Sequence, residues 1–308
     1  MAITAGMVKE LREISGAGMM DCKKALTECN GDMDEAIEYL RKSGAMKAEK
    51  KASRIAAEGI CRIAIDGGKA AVVEVNSETD FVAKNEVFQN FVETVAKQAL
   101  ASDAADVEGL LQESFLGDSS KTVKEALVEK VATIGENLNI RRFEKVEADQ
   151  VVGYIHGGGR IGVIVAAKTN VKNDAIEEAL KNIAMQVAAL NPKYVSDAEV
   201  SAEYIEHEKE ILKAQILADP KESQKPEKVI DGMINGRIKK ELKEVCLMDQ
   251  VYVKAEDGKQ TVAQYVDTVA KANGADLKVV KFVRFETGEG LEKKNEDFAA
   301  EVAAQING

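Results

Sequence analysis

Ile60-Cys61-Arg62-Ile63-Ala64-Ile65-Asp66-Gly67-Gly68-Lys69-Ala70-Ala71-Val72-Val73-Glu74-Val75 is the stretch on which the fold turns. Apolar and polar residues alternate through Ile60, Arg62, Ala64 and Asp66, Gly67-Gly68 supplies a turn, and Ala71 to Val75 run back, so the stretch reads as a β-hairpin. A polar turn at Asn76 to Thr79 and a helix through Val87, Phe91, Val95 and Leu100 follow. The same order recurs downstream: Val151 to Ile155, glycines at Gly157 to Gly159, a strand Ile161 to Ala167, and a helix through Leu180, Ile183, Met185 and Val187. Gly67-Gly68-Lys69 falls on Gly158-Gly159-Arg160, and Val72-Val73 on Val163-Ile164, at one shift of 91 positions. The predicted fold class is therefore α+β, with two related core subdomains at 55–145 and at 146–196 plus 246–288. Val251-Tyr252-Val253 and Val279 to Phe285, as strands around a helix from Thr261 to Ala272, complete the second.

Residues 1–54 read as an N-terminal three-helix bundle with a basic helical linker. Thr4 caps a helix carrying Val8 and Leu11, Gly16-Ala17-Gly18 breaks it, Met19 to Cys29 forms the second, and Asn30-Gly31-Asp32 leads into the third, Met33 to Arg41. The glycine turn and the acidic, Ala-rich third helix resemble the ubiquitin-associated (UBA-like) type of domain. Ala45 to Glu58 reads as the linker. Between 197 and 245, one amphipathic stretch is marked by Val200, Tyr204, Ile211 and Leu212, and another by Val229, Met233, Ile234, Ile238 and Leu242. Pro220 and Pro226 stand between them, which predicts a protruding antiparallel helical hairpin. Two helices alone cannot bury both apolar faces, so the hairpin needs a further surface, a partner or its twin. Residues 289–308 read as a C-terminal helical module with a helix from Asp297 to Ile306.

With 308 residues, 45% of them hydrophobic, the chain has material for several packed units. Its net charge of −11 lacks the surplus of Lys and Arg that a dedicated nucleic-acid binder needs. No apolar run approaches the ~20 residues of a membrane span and Met1 to Glu10 lacks signal-peptide character, so a cytoplasmic location without membrane contact is expected. Cys22, Cys29, Cys61 and Cys246 are scattered without a C-x-x-C pair, beside two histidines, so neither disulfides nor a metal centre is expected. Arg41, Lys42, Lys47, Lys50, Lys51 and Arg54 stand against one acid, Glu49. This basic 41–54 stretch could be a solvated helix and linker or touch an acidic protein face, and it keeps open an alternative, an RNA-associated protein, although no aromatic residues interleave for base stacking.

Gly157-x-Gly159-x-x-Gly162 matches the dinucleotide fingerprint as a string but opens a β-rich segment rather than a helix. It reads as a hairpin turn, and no cofactor is expected. No phosphate loop, nucleophile elbow or zinc-protease motif occurs, and the isolated His156 and His207 read as structural or contact residues, so no catalytic residue is assigned. Thr79-Asp80-Phe81-Val82-Ala83-Lys84-Asn85 stands out as an aromatic ring flanked by an acid in a connecting loop. Two readings stay open: Phe81 inserts into another protein's pocket, or it packs inward while Asp80 caps the following helix.

Val8-Lys9-Glu10-Leu11-Arg12, Gly16 through Leu26, Thr79-Asp80-Phe81-Val82-Ala83, Ile134-Gly135-Glu136-Asn137, Arg141-Arg142, His156-Gly157, Arg160-Ile161-Gly162-Val163, Arg284-Phe285 and Asp297 through Val302 together resemble the bacterial elongation factor Ts family, along the whole chain. The resemblance implies a guanine-nucleotide exchange factor in translation elongation, not an enzyme, whose partner is the GTPase elongation factor Tu. It implies that Thr79, Asp80, Phe81 and Val82 enter the GTPase domain and disturb its Mg²⁺ ion and phosphate loop. It further implies that Lys9, Met20, Lys23 and the final helix around Phe298 contact that domain. Ile134 to Asn137, with Ile134 and Gly135 foremost, and His156 would lie on or support other contact faces, and the hairpin would serve homodimer formation.

Overall fold

The structure, a computed structural model, describes residues 3–292. Phe298 and the helix expected from Asp297 to Ile306 lie outside the described residues. The chain begins with α1 (Ala5–Ser15), α2 (Met19–Glu28) and α3 (Met33–Lys51). Thr4 and Asp32 cap α1 and α3 by accepting from the N–H groups of Met7 and Glu35. Leu11, Cys22, Ala25, Leu26 and Ala36 form their buried core.

The third helix does not stop near Arg41 but continues to Lys51, so the first half of the expected Ala45–Glu58 linker belongs to it. Ala, Met, Lys and Glu are strong helix formers and nothing in this stretch breaks the helix. Gly44 lets it approach α7 (Val123–Ile134), its missing Cβ lying 3.4 Å from the Cβ of Ala132.

β1 (Glu58–Asp66) and β2 (Lys69–Ser77) form the expected hairpin, with Asp66 opposite Lys69. The chain continues through α4 (Asp80–Ala83), α5 (Glu86–Ala101), α6 (Val107–Gln112), the short strands β3 (Ser114–Phe115) and β4 (Asp118–Thr122), then α7 and β5 (Asn139–Glu147). β5 pairs with β2, giving the order β1-β2-β5. The second half runs β6 (Gln150–His156), the Gly157–Gly159 turn, β7 (Ile161–Lys168), α8 (Asp174–Leu190), α9 (Ala202–Ala218), α10 (Glu227–Val245), α11 (Val262–Asn273) and β8 (Lys278–Glu286). Its sheet has the matching order β6-β7-β8.

Side-chain alternation dictates the layers. Ala71, Val73 and Val75 of β2 pack with Phe88, Phe91, Val92 and Val95 of α5, whereas Ala70 and Val72 face the other sheet and meet Ile164, Ala166, Val283 and Phe285. Val163 and Val165 of β7 turn instead to Leu180, Ile183 and Val187 of α8. Two sheets therefore pack back to back with a helix outside each. α7 and α11 both open with a capping box and end at a left-handed glycine, Gly135 and Gly274. The spacing from Thr122 to Thr261, and from Gly135 to Gly274, is 139 positions rather than 91, because α9 and α10 lie between α8 and α11.

Val251-Tyr252-Val253, expected as a strand, makes one isolated bridge, from Val251 to Thr261. The buried amide of Gln186 accepts from Val253 N–H at 2.8 Å and donates to the Val251 carbonyl at 3.0 Å, satisfying groups that a neighbouring strand would otherwise engage.

α9 and α10 pack against each other, with Pro220 and Pro226 in the connection between them. The two helices carry a core of their own, Ile216, Ile230, Ile234 and Ile238, flanked by Ile205 and Leu212. Ile211 and Val229, expected on the apolar faces, are exposed. The inward face of α9 runs through 205, 212 and 216, and one residue of offset rotates Ile211 out of it. Backbone bonds fasten the base: Lys193 N–H to the Val245 carbonyl at 2.8 Å, and Leu247 N–H to the Tyr194 carbonyl at 2.9 Å.

Candidate functional site

The Thr79–Asn85 segment is a single helical turn set between β2 and α5 rather than an irregular loop. Four residues cannot sustain a helix by hydrogen bonding alone, because nucleation fixes several residues for one bond. Their neighbours hold them. The Thr79 hydroxyl accepts from Val82 N–H at 3.4 Å and caps the turn, while the following helix, which the inward-packing alternative had Asp80 capping, is capped by Asn85. Val82 and Ala83 are buried in the core beneath α5. Asn85 then caps α5, accepting from Val87 N–H at 2.8 Å, and Gln89 donates to the Ala83 carbonyl at 3.1 Å.

With Val82 and Ala83 turned in, Phe81 is turned out and is 79% exposed. The structure thus decides the open question in favour of an outward ring. Among the described residues Phe81 is the most exposed of the large hydrophobic side chains. Asp80 lies beside it, 2.6 Å from Lys84 Nζ, and this hydrogen bond holds its carboxyl below the usual carboxylate range.

His156 stands exposed at the end of β6, its Nδ1 3.0 Å from the Tyr154 hydroxyl. The Gly157–Gly159 turn after it presses on β1. A Cβ on Gly159, whose φ is +120°, would lie 2.8 Å from the Cβ of Ile60 and 2.6 Å from Arg62 Nη1, so no side chain fits there. Arg62 donates to the Gly158 carbonyl at 3.3 Å and approaches Glu93 of α5 at 3.8 Å. α4 packs on the same strand, so β1 links the His156 turn and the Phe81 turn.

In the bundle, Met20 is 73% exposed beside the exposed Met19 and Ile14. Lys23 shares its face of α2, three residues on, while Cys22, Ala25 and Leu26 face the core. Lys9 is exposed on α1, 3.8 Å from Glu13. Ile134 packs against the core under α5, and Gly135 ends α7 in an exposed left-handed conformation.

Sequence reading names Arg54 in the basic stretch and Glu136 and Asn137 in the Ile134–Asn137 run, but it does not show that these residues, with Glu78, brace the turn. Glu136 accepts from Thr79 N–H across 57 positions of sequence, and no local spacing reveals such a pairing. Of the basic stretch, Lys42 pairs with Glu38 at 2.8 Å, Lys47 with Asp21 at 2.8 Å, Arg54 with Glu78 at 3.4 Å, and Lys51 bonds the Gly135 carbonyl. Those charges are engaged within the chain. Among the described residues no cluster of three or more His, Cys, Asp or Glu is placed to hold a metal, and no helix is long and apolar enough to cross a membrane.

The model of the family described as Elongation factor TS matches residues 78–289, beginning at the residue before the Thr79 cap. Curated relatives match over nearly their whole length. A protein of Clostridioides difficile (strain 630) named Elongation factor Ts is 54% identical over 307 residues, covering 99% of each chain. Its namesakes in Clostridium novyi (strain NT) and Clostridium perfringens (strain ATCC 13124) are each 51% identical, covering 99% and 98% of each chain respectively.

Proposed function

Because this chain belongs to the elongation factor Ts family, we propose that it is a nucleotide exchange factor of translation elongation, binding the GTPase elongation factor Tu and releasing its GDP by insertion of the Phe81 turn. The observation that carries the reading is the 79% exposed ring of Phe81 on a turn whose cap and flanking residues are fixed. A preorganised aromatic wedge loses little conformational entropy when it enters a pocket.

The action is one of binding. Mg²⁺ in the partner's nucleotide site requires near-octahedral oxygen geometry with the phosphates, so displacing its surroundings weakens nucleotide binding without any bond being broken. Thr79 and Val82 set the ring's direction, and Phe81 and the charged Asp80 enter the partner. Factor and nucleotide each weaken the other's hold, as linkage requires. GDP therefore leaves on insertion, GTP displaces the factor, and nucleotide concentrations set the net direction.

Lys9, Met20 and Lys23 supply a second contact on the GTPase domain, with Phe298 assigned to the same surface. His156, aimed by the glycine turn, supplies a third, and Ile134 and Gly135 support the wedge from behind. The matched sheet orders and the two capping-box helices support two related core subdomains preceded by a UBA-like bundle, and the exposed Ile211 and Val229 support a homodimer contact on the hairpin. The test is stopped-flow release of a fluorescent GDP analogue from elongation factor Tu at fixed Mg²⁺. Saturable acceleration by this chain is expected, and no acceleration with a matched partner overturns the reading.

A further inference from the structure

The Gly135–Asn137 loop, which leads into β5 beside β2, grips the base of the Phe81 turn. One carboxylate oxygen of Glu136 accepts from the N–H groups of Glu78 and Thr79, both at 3.0 Å, and the other accepts from the Thr79 hydroxyl at 2.7 Å. Asn137 completes the grip: its N–H donates to Glu78 Oε1 at 2.6 Å, and its side-chain amide donates to the Arg54 carbonyl at 2.8 Å.

The chemistry of the Thr79 hydroxyl makes Glu136 more than one brace among several. A hydroxyl has one proton and two lone pairs. The hydroxyl donates its hydrogen bond to Glu136, which leaves a lone pair directed at Val82 N–H, the bond that caps α4. Without the carboxylate, the proton is free to rotate into the capping direction, and two N–H groups at the turn's base lose a charged acceptor. Phe81 contributes no burial that would restore the turn, because its ring faces solvent.

We propose that Glu136 is a positioning residue for nucleotide exchange, acting through Thr79 to hold the Phe81 turn in its inserting conformation before the partner arrives. The inference rests on the wedge reading above. It assigns Glu136 a role through its bonds to Glu78 and Thr79.

The test compares Glu136→Ala, Glu136→Gln, Phe81→Ala and the Glu136→Ala/Phe81→Ala double variant in the full chain. Amide hydrogen exchange is read on the free chain and GDP release on elongation factor Tu. In Glu136→Ala, exchange at Val82 to Asn85 is expected to rise about tenfold while β2 and α5 keep their protection. Catalysed GDP release is expected to fall about tenfold, and no further fall is expected when Glu136→Ala is added to Phe81→Ala, since coupled residues are non-additive. Glu136→Gln, which keeps one acceptor oxygen, is expected to restore part of both effects, and it carries the comparison if Glu136→Ala fails to fold. Unchanged amide exchange at 82–85 overturns the proposal, as does a loss of activity that adds in full to that of Phe81→Ala. Full activity of Phe81→Ala instead overturns the wedge reading, and the amide data on the free chain then judge the brace alone.

Discussion

Replacing Phe81 with alanine separates binding from folding at one residue. A phenylalanine side chain presents about 200 Å², and Phe81 is 79% exposed, which leaves about 160 Å² to be buried against a partner; at ~25 cal/mol per Å² the ceiling is about 4 kcal/mol. Association recovers part of such a figure, and truncation of a central aromatic anchor commonly costs 2 kcal/mol or more, roughly 30-fold in affinity. Phe81→Ala is therefore expected to weaken the nucleotide-free complex and the subsaturating exchange rate by about 30-fold or more. Its unfolding free energy should stay within about 0.5 kcal/mol of the parent, because the ring contributes little to the fold. The adjacent Val82→Ala should show the converse, losing roughly 1–3 kcal/mol of stability through the cavity left in the core. Stopped-flow GDP release, titration of the nucleotide-free GTPase and urea denaturation give the three readouts. A folded Phe81→Ala protein that exchanges nucleotide at the parent rate would refute the reasoning.

Three further outcomes follow from the geometry. Glu74 is fully buried between the sheets, where it accepts from Gly288 N–H at 2.8 Å, Asn76 Nδ2 at 3.1 Å, Arg141 Nη1 at 3.0 Å and Arg142 Nε at 2.6 Å. Burial pushes its carboxyl up, but these donors outweigh burial and hold it below the ordinary 4.5. Glu74→Gln should cost about 3–5 kcal/mol at pH 7 in urea denaturation, and the gap should close as pH falls from about 4.5, since a depressed carboxylate loses its stabilising contribution when it protonates. Gly159→Ala should destabilise the chain by about 1–3 kcal/mol through its clash with Ile60 and Arg62, with the His156 ring resonance shifting in the NMR spectrum while that of Phe81 stays in place. Ile234→Ala removes a buried residue of the hairpin core, about 2–5 kcal/mol, and amide protection should fall across 202–245 while the sheets keep theirs.

Legibility followed the range of the interactions. The Gly67-Gly68 hairpin, the Thr4 cap and the proline-marked hairpin turn depend on residues a few positions apart, and all could be read in the sequence. The length of α3 was misread because its second half is stabilised by α7, which lies far along the chain. Val251 to Val253 have strand composition, yet Gln186 supplies the partners that a strand would need. At the candidate site, the Thr79–Val82 string drew attention, but its spacing was equally compatible with an inward ring. Glu136 belongs to the Ile134–Asn137 run that the resemblance places on or behind a contact face, but nothing local shows that it holds Thr79.

The sequence by itself determined the mixed α+β character, the repeated strand, glycine turn and strand order, the segment carrying the exposed aromatic ring, and the lack of familiar catalytic motifs. These depend on periodicity and turn chemistry, which are properties of neighbouring residues. Tertiary structure alone decided that Phe81 faces solvent and that Glu136 and Asn137 hold its turn from the loop before β5. The direction of a side chain on a four-residue helix is set by what its neighbours bury, and those neighbours are assembled only when distant strands and helices pack together.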